Sequence, residues 1–230
     1  LKHRFYIKSK KEQNKIQAVI ALAALLIIVL VAFLSWLTGF YWLIILAFPI
    51  TLSIIAPFFD IPSLKESGRL IYYSPLFVAE KLRKGVIKIH GGSLFDYVFV
   101  IDRNLSGKAR TNLILQQYLE GLLNLIEENE NKSPQNIKVR GTSYIISKRT
   151  AERIGFKVIQ TDTLASIILT YNYFNLMASY SLAKAKVSFP KLRDTKTFEA
   201  DLIELLERKD FIKNLNEKLK ASIHQQNKPS

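Results

Sequence analysis

The sequence predicts a membrane-anchored α/β protein: a two-helix transmembrane hairpin, then a cytosolic mixed α/β domain, then amphipathic helices at the C-terminal end. Three observations predict it. From Ile16 to Phe59 there is no Asp, Glu, Lys, Arg or His. Beyond Phe59, β-prone runs alternate with helical periodicity. Finally, the 230 residues are 49% apolar and 23% charged, a mixture that forces hydrophobicity and charge into different parts of the chain. The same composition excludes a disordered chain, a collagen-like fibre and a disulfide scaffold, because there are no cysteines and only nine glycines while Leu and Ile are abundant. Cysteine nucleophiles and cysteine-ligated metals are excluded with them.

The uncharged run at 16–59 would extend about 66 Å as one helix, about twice the hydrocarbon core of a bilayer. Two spans fit, near 17–37 and 41–57. The break falls at Leu37-Thr38-Gly39-Phe40-Tyr41-Trp42, where Gly39 turns the chain and Trp36, Tyr41 and Trp42 supply aromatic anchors. Pro49 kinks the second helix, and Pro57 and Pro62 close the segment. A cleaved signal peptide also begins with a basic region and an apolar stretch, but the second span follows at once and no small-residue cleavage pattern separates them.

Basic flanks set the orientation. The arm at 1–15 carries Lys2, Arg4, Lys8, Lys10, Lys11 and Lys15 against Glu12 alone, whereas the hairpin tip has no charge. Lys65, Arg69, Lys81, Arg83, Lys84 and Lys88 follow the hairpin. Both termini are therefore expected in the cytoplasm, with the chain in the inner (plasma) membrane. The formal net charge of +14 then finds its simplest partner in anionic lipid headgroups, at about 1 kcal/mol for each Lys or Arg near the surface. Nucleic acid is not expected: the chain has no RNP-like aromatic pair, zinc finger or convincing helix-turn-helix.

The α/β domain is expected over 60–162. Strands are read at 69–73 and 86–90, with a short helix from Leu76 to Lys84 between them. Gly91-Gly92 then turns the chain into the most β-prone segment, Phe95-Asp96-Tyr97-Val98-Phe99-Val100-Ile101. A loop at 102–109 leads to a long amphipathic helix over 110–128, with Leu115, Leu119, Leu122 and Ile126 on one stripe. Strand 137–146, helix 147–154 stopped by Gly155, and strand 156–160 follow. A second uncharged stretch, 163–183, raises a third span. Asn172, Asn175 and several Ser and Tyr are costly to face to lipid, so a helix over 163–189 packed on the domain or lying on the membrane surface is favoured. The segment 190–230 reads as amphipathic helix through Leu202, Leu205, Leu206, Ile212, Leu215 and Leu219.

Metal and hydrolase chemistry find no motif. His3, His90 and His224 are far apart, with no HExxH and no GxSxG. Gly107-Lys108 lacks the earlier glycine of a P-loop, and Ala109 stands where the magnesium-binding hydroxyl belongs. His90, beside Gly91-Gly92, reads as a turn residue. One arrangement does suggest a ligand: a small-residue loop, Asn104 to Ala109, between a β-prone run and a helix. Such a loop presents backbone N–H groups at the positive end of the helix dipole and suits a pyrophosphate; Lys108 and Arg110 add charge. The alternative is that Gly107 permits a turn, that Lys108 and Arg110 form a solvated or lipid-facing patch, and that Gly155 is an ordinary C-cap.

This order resembles the core of the GNAT acyltransferase superfamily over about residues 95–160. Its acyl-CoA-binding loop runs Gln/Arg-x-x-Gly-x-Gly/Ala between the fourth strand and the following helix, and Asn104, Gly107 and Ala109 occupy those places. Asn104 departs from the usual Gln or Arg. Ala151-Glu152-Arg153-Ile154-Gly155-Phe156 looks like the family's helix ending in Gly-Phe. The resemblance implies acyl-CoA as substrate and no metal, with Asn104, Gly107, Lys108, Ala109 and Arg110 holding it in a V-shaped opening between strands 97–101 and 137–146. Ala151 stands where a Tyr often serves as general acid, which leaves Tyr144 and Ser143 as substitute donors; Asp96 or Glu80 serves as base only if folding brings it to the cleft. Two functions follow: an acyl-CoA-dependent N- or O-acyltransferase acting near the membrane, or a non-enzymatic membrane-tethered scaffold. The second would recruit a membrane-protein partner or a second copy of the chain through its basic domain and C-terminal helix.

Overall fold

The computed structural model describes residues 1–130, 136–143, 146 and 148–226, apart from the side chains of 164, 165, 194 and 224–226. The first helix, α1 (Lys10–Thr38), starts seven residues before the expected 17. Ser9 and Glu12 form a capping box, each side chain satisfying the other's backbone N–H, which extends the helix into the basic arm. Gly39 ends it in the left-handed conformation, at φ 67°. α2 (Trp42–Ile55) returns, and α3 (Pro57–Glu66) follows after Ala56 alone. Pro57 therefore opens a helix at the position where its missing N–H costs nothing, and Pro62 sits inside it, so neither closes the segment. Lys10–Thr38 (29 residues) and Trp42–Glu66 (25 residues) are long and apolar enough to cross a membrane. Leu26, Leu30, Ile45 and Leu46 are each more than half exposed along them.

The remainder is a six-stranded mixed sheet with helices. Its strands are β1 (Leu70–Ser74), β2 (Phe77–Glu80), β3 (Val86–Gly91), β4 (Lys138–Ser143), β5 (Lys157–Ile159) and β6 (Lys196–Asp201). They lie in the order β1-β2-β3-β4-β6-β5. The β1–β2 and β2–β3 pairs are antiparallel, β3–β4 is parallel, and β6 runs antiparallel to both β4 and β5. Between β3 and β4 come α4 (Leu94–Val100) and α5 (Gly107–Asn129), and α6 (Lys148–Arg153) links β4 to β5. α7 (Thr163–Tyr171), α8 (Tyr173–Lys184), α9 (Leu202–Glu207) and α10 (Lys209–Gln226) complete the chain.

Four sequence expectations change. The segment at 97–101 is not a strand, since 97–100 complete helix α4 and Ile101 caps it: Ser93 and Asp96 form a capping box, and burial of Leu94, Phe95, Tyr97 and Val100 outweighs β propensity. The stretch expected as helix at 76–84 holds β2 instead, paired on both sides. The uncharged 163–183 run breaks at Asn172 into α7 and α8, neither long enough to span a bilayer. Finally, 196–201 is a strand, inserted between β4 and β5, and α9 and α10 follow it.

Two apolar cores result. The larger joins the sheet to α5, α9 and α10 through side chains such as Ile114, Leu125, Ile126, Leu202, Leu205 and Ile212, all effectively without solvent contact. Each such Leu or Ile contributes about 1.5–3 kcal/mol by burial. α10 spends its apolar face here, against α5. The smaller core gathers Phe5, Phe58, Leu94 and Phe95, joining the N-terminal arm to α3 and α4. Arg4 reinforces that junction by donating to the carbonyls of Val98 and Ile101 at 2.9 and 3.0 Å.

Candidate functional site: a cleft between parting strands

β3 and β4 pair in parallel from Val86–Lys138 to Ile89–Gly141, and there the ladder ends. Beyond it β3 stays with β2, through Val78–His90 and Phe77–Gly91. β4 stays with β6, through Thr142–Thr197 and Ser143–Lys196. The two strands part because each follows its antiparallel neighbour. A cavity of about 520 Å³ occupies the fork, within the about 300–1,000 Å³ of ordinary small-molecule sites.

His90, Gly91, Gly92 and Ser93 line one side, and Gly141, Thr142, Ser143 and Ile146 the other. Tyr118, Leu119 and Leu122 of α5 also face the cavity. Gly91 is required by packing, since a Cβ there would strike the Tyr118 hydroxyl. The Tyr118 and Tyr97 hydroxyls are 3.1 Å apart, and burial pushes the Tyr118 phenol up to about 12, so it is a hydroxyl throughout the physiological range.

Two acids named from the sequence reach this cavity. Glu80 Oε1 lies 2.9 Å from His90 Nε2, on neighbouring strands, with both side chains about half exposed. The hydrogen bond from His90 holds the Glu80 carboxyl below the usual carboxylate range. His90 is thus a strand residue paired with a carboxylate, not a turn residue. Asp96 is 1% exposed and saturated: Ser93 donates to it through N–H and hydroxyl at 2.7 and 2.8 Å, Tyr72 donates its hydroxyl at 2.6 Å, and His3 Nε2 lies at 3.2 Å. Tyr6 donates to Tyr72 in turn. Burial, followed by the nearby Asp96 charge, raises the Tyr72 hydroxyl far above its ordinary value. With its lone pairs spent, Asp96 ties the N-terminal arm to α4 and is no free base.

The loop expected to hold acyl-CoA lies elsewhere: none of Asn104, Gly107, Lys108, Ala109 and Arg110 lines the cavity. Ser106 caps α5 by accepting from Ala109 N–H at 3.3 Å. The Gly107 backbone abuts the Lys184 carbonyl, where a Cβ would collide, so the C-terminal end of α8 meets the N-terminal end of α5. Arg110 is buried and donates to the carbonyls of Leu105 at 2.9 Å, Leu182 at 2.8 Å and Arg103 at 2.5 Å. Asn104 N–H donates to Asp102 at 2.9 Å, Ala109 is buried, and Lys108 is exposed. The positive end of α5 thus faces carbonyls of the chain itself.

No protein-family model, curated protein or solved structure matches the chain. Ser143 does reach the cavity, and its hydroxyl accepts from Ile146 N–H at 3.2 Å. Tyr144 lies outside the described residues. Sequence reasoning did not bring His90 or Tyr118 to this cavity, which both line. Gly91-Gly92 was the available signal, because two glycines after a β run mark a close backbone approach as readily as a turn. Among the described residues no three His, Asp or Glu side chains gather where they could hold a metal ion.

Proposed function

We propose that this is a two-span membrane protein, both termini cytoplasmic, most simply in the inner (plasma) membrane, whose α/β domain is GNAT-like and transfers an acyl group from a CoA thioester to an amine or hydroxyl near the bilayer. The observation that carries it is the fork beyond Ile89–Gly141 with its cavity. In this reading the opening lies between β3 and β4; β4 is the strand read at 137–146, and β3 takes the place of 97–101, which belongs to α4. The remaining order is in keeping with it: a strand, a helical crossover, a parallel strand, then a short helix, Lys148–Arg153, followed by Gly155-Phe156. Anchoring rests on the two apolar helices and on the outward-facing Leu26, Leu30, Ile45 and Leu46, which lipid would cover. Anionic headgroups remain the natural counterpart of the basic flanks.

A fork between parallel strands suits an extended, amide-bearing arm such as that of CoA, because both facing edges carry backbone N–H and C=O groups beyond the last ladder pair. Orientation and carbonyl polarisation by a backbone N–H then supply the rate. The acceptor lone pair attacks the thioester carbonyl carbon. The C–S bond breaks, the CoA thiolate leaves, and the acceptor's proton passes to the base. His90, oriented by Glu80, is the base in this scheme, and the Ser143 hydroxyl is the donor toward the developing charge. No cysteine or metal takes part. The scaffold reading has less support, since α10 packs its apolar side on α5.

Acetyl-CoA should raise the melting temperature of the detergent-solubilised protein, and Ser143→Trp should abolish that shift while Lys108→Trp leaves it intact. The absence of any shift with acetyl-CoA and with palmitoyl-CoA would remove the reading.

A further inference from the structure

Part of the cavity lining is apolar and has no task in acetyl transfer: Ile61 and Leu64 of α3, Ile168 and Leu169 of α7, and Leu176 of α8 form an apolar compartment of the same cavity that His90 and Glu80 line. These walls stand at the foot of the hairpin. α3 continues α2 after one residue, Ala56, itself in helical conformation. α8 is fastened to α2, Asn175 Nδ2 donating to the Ser53 carbonyl at 2.9 Å. Gln17 Nε2 donates to the Phe58 carbonyl at 2.9 Å, which sets Phe58 level with the start of the uncharged run in α1. Ser53 lies five residues nearer the hairpin tip, about 7.5 Å deeper at helical rise. The junction of α7 and α8 is therefore at the depth of the headgroups and the first methylenes.

At that depth α7 carries Ile167, Ile168 and Tyr171 on its outer surface, each more than half exposed. Ile168 is 52% exposed and also lines the cavity, so it marks a mouth on the bilayer side. An apolar outer face on a short helix at the membrane boundary is stable when buried in the interface.

We infer that this compartment binds the hydrocarbon tail of a membrane amphiphile, which enters from the leaflet past Ile168 and presents its polar head to the His90–Glu80 edge. The inference rests on the membrane-anchored acyltransferase reading and names its acceptor class: a lipid or lipid-like molecule whose nucleophile sits at the headgroup. Each methylene buried strengthens binding about fourfold, which gives the site a preference for tailed acceptors over water-soluble ones.

The test uses the full chain in phosphatidylcholine–phosphatidylglycerol vesicles containing lysophosphatidylethanolamine with a mid-chain diazirine. Irradiation and peptide mapping should find adducts on Ile61, Leu64, Ile168 or Leu169. Excess unlabelled lysolipid should reduce them several-fold without changing adducts on Leu30 and Ile45. Leu169→Trp should abolish the cavity adducts selectively, and Ile61→Phe provides a milder obstruction if the first variant does not fold. Adducts confined to α1 and α2, or cavity adducts that do not saturate, would overturn the inference. Displacement by palmitoyl-CoA but not by lysolipid would assign the compartment to the donor chain and overturn it too. An acetyl-CoA melting shift without cavity adducts leaves the transferase standing and removes this inference; saturable adducts without any thioester binding do the reverse.

Discussion

Ile89 and Gly141 are the last partners in the parallel ladder between β3 and β4, and the cavity that both strands line begins where they separate. The divergence follows from the strands' other neighbours. β2 holds His90 and Gly91, while β6 holds Thr142 and Ser143, so the gap is kept open by paired backbone on both sides.

The junction of α8 with α5 is structural. Gly107→Ala should lower stability by about 1–3 kcal/mol, because the added methyl meets the Lys184 backbone rather than a side chain able to move. Arg110→Met should cost about 2–4 kcal/mol by orphaning the carbonyls of Arg103, Leu105 and Leu182. Thermal or urea melts of the solubilised protein check both. Lys108→Ala, at an exposed position, should change little.

Asp96→Ala should free the N-terminal arm. His3 and Tyr72 lose their buried acceptor and Ser93 loses its capping partner, at a cost of about 1–3 kcal/mol. Amide exchange at residues 3–6 should quicken more than exchange in β4. Equal exchange in variant and wild type would contradict the account.

Acid should weaken the β4–β6 pair through Glu199. The Lys138 ammonium donates to its carboxylate at 2.8 Å, and Arg140 Nε adds a second bond at 2.8 Å; these bonds hold the carboxyl below its ordinary 4.5. The folded state therefore binds this proton less readily than the unfolded chain. The resulting stabilisation is complete above about pH 4.5 and fades as pH falls through the lower folded value. In a comparison of melting temperature against pH, Glu199→Gln should lose the part of the acid decline that Glu199 contributes in the wild type.

The chain has no cysteine, so single introduced thiols report sidedness cleanly. In intact cells, an impermeant maleimide should label Phe40→Cys at the hairpin tip and should not label Lys2→Cys or Ser222→Cys until the cells are lysed.

The sequence made the hairpin legible because its signal, the absence of charge from Ile16 to Phe59, depends on composition alone. β1, β3, β4 and β5 were legible within a few residues from β-branched and aromatic runs. α4 was not. Phe95 to Ile101 is apolar nearly all round because the helix is buried on several sides, and a short apolar run carries no period that separates helix from strand. Only Ser93 and Asp96, spaced as a capping box, told otherwise. Reading 97–101 as a strand sets the expected opening beside the loop at 104–110, whereas the strands that part are β3 and β4. β6 was hidden similarly: its alternation Lys196-Thr197-Phe198-Glu199-Ala200-Asp201 is brief and runs straight into the amphipathic pattern of α9. Glu80 is named in the sequence as a base only if folding brings it to the cleft; it does line the cavity, beside His90, because the segment read as helix at 76–84 holds β2, which pairs with β3.

Amide hydrogen exchange with and without acetyl-CoA tests the central claim most directly, because it reads the fork and the loop at 104–110 in one experiment. The account predicts slower exchange at 89–92 and 141–143 on adding acetyl-CoA, with 104–110 unchanged. Protection confined to 104–110, or no protection in either segment, would contradict it.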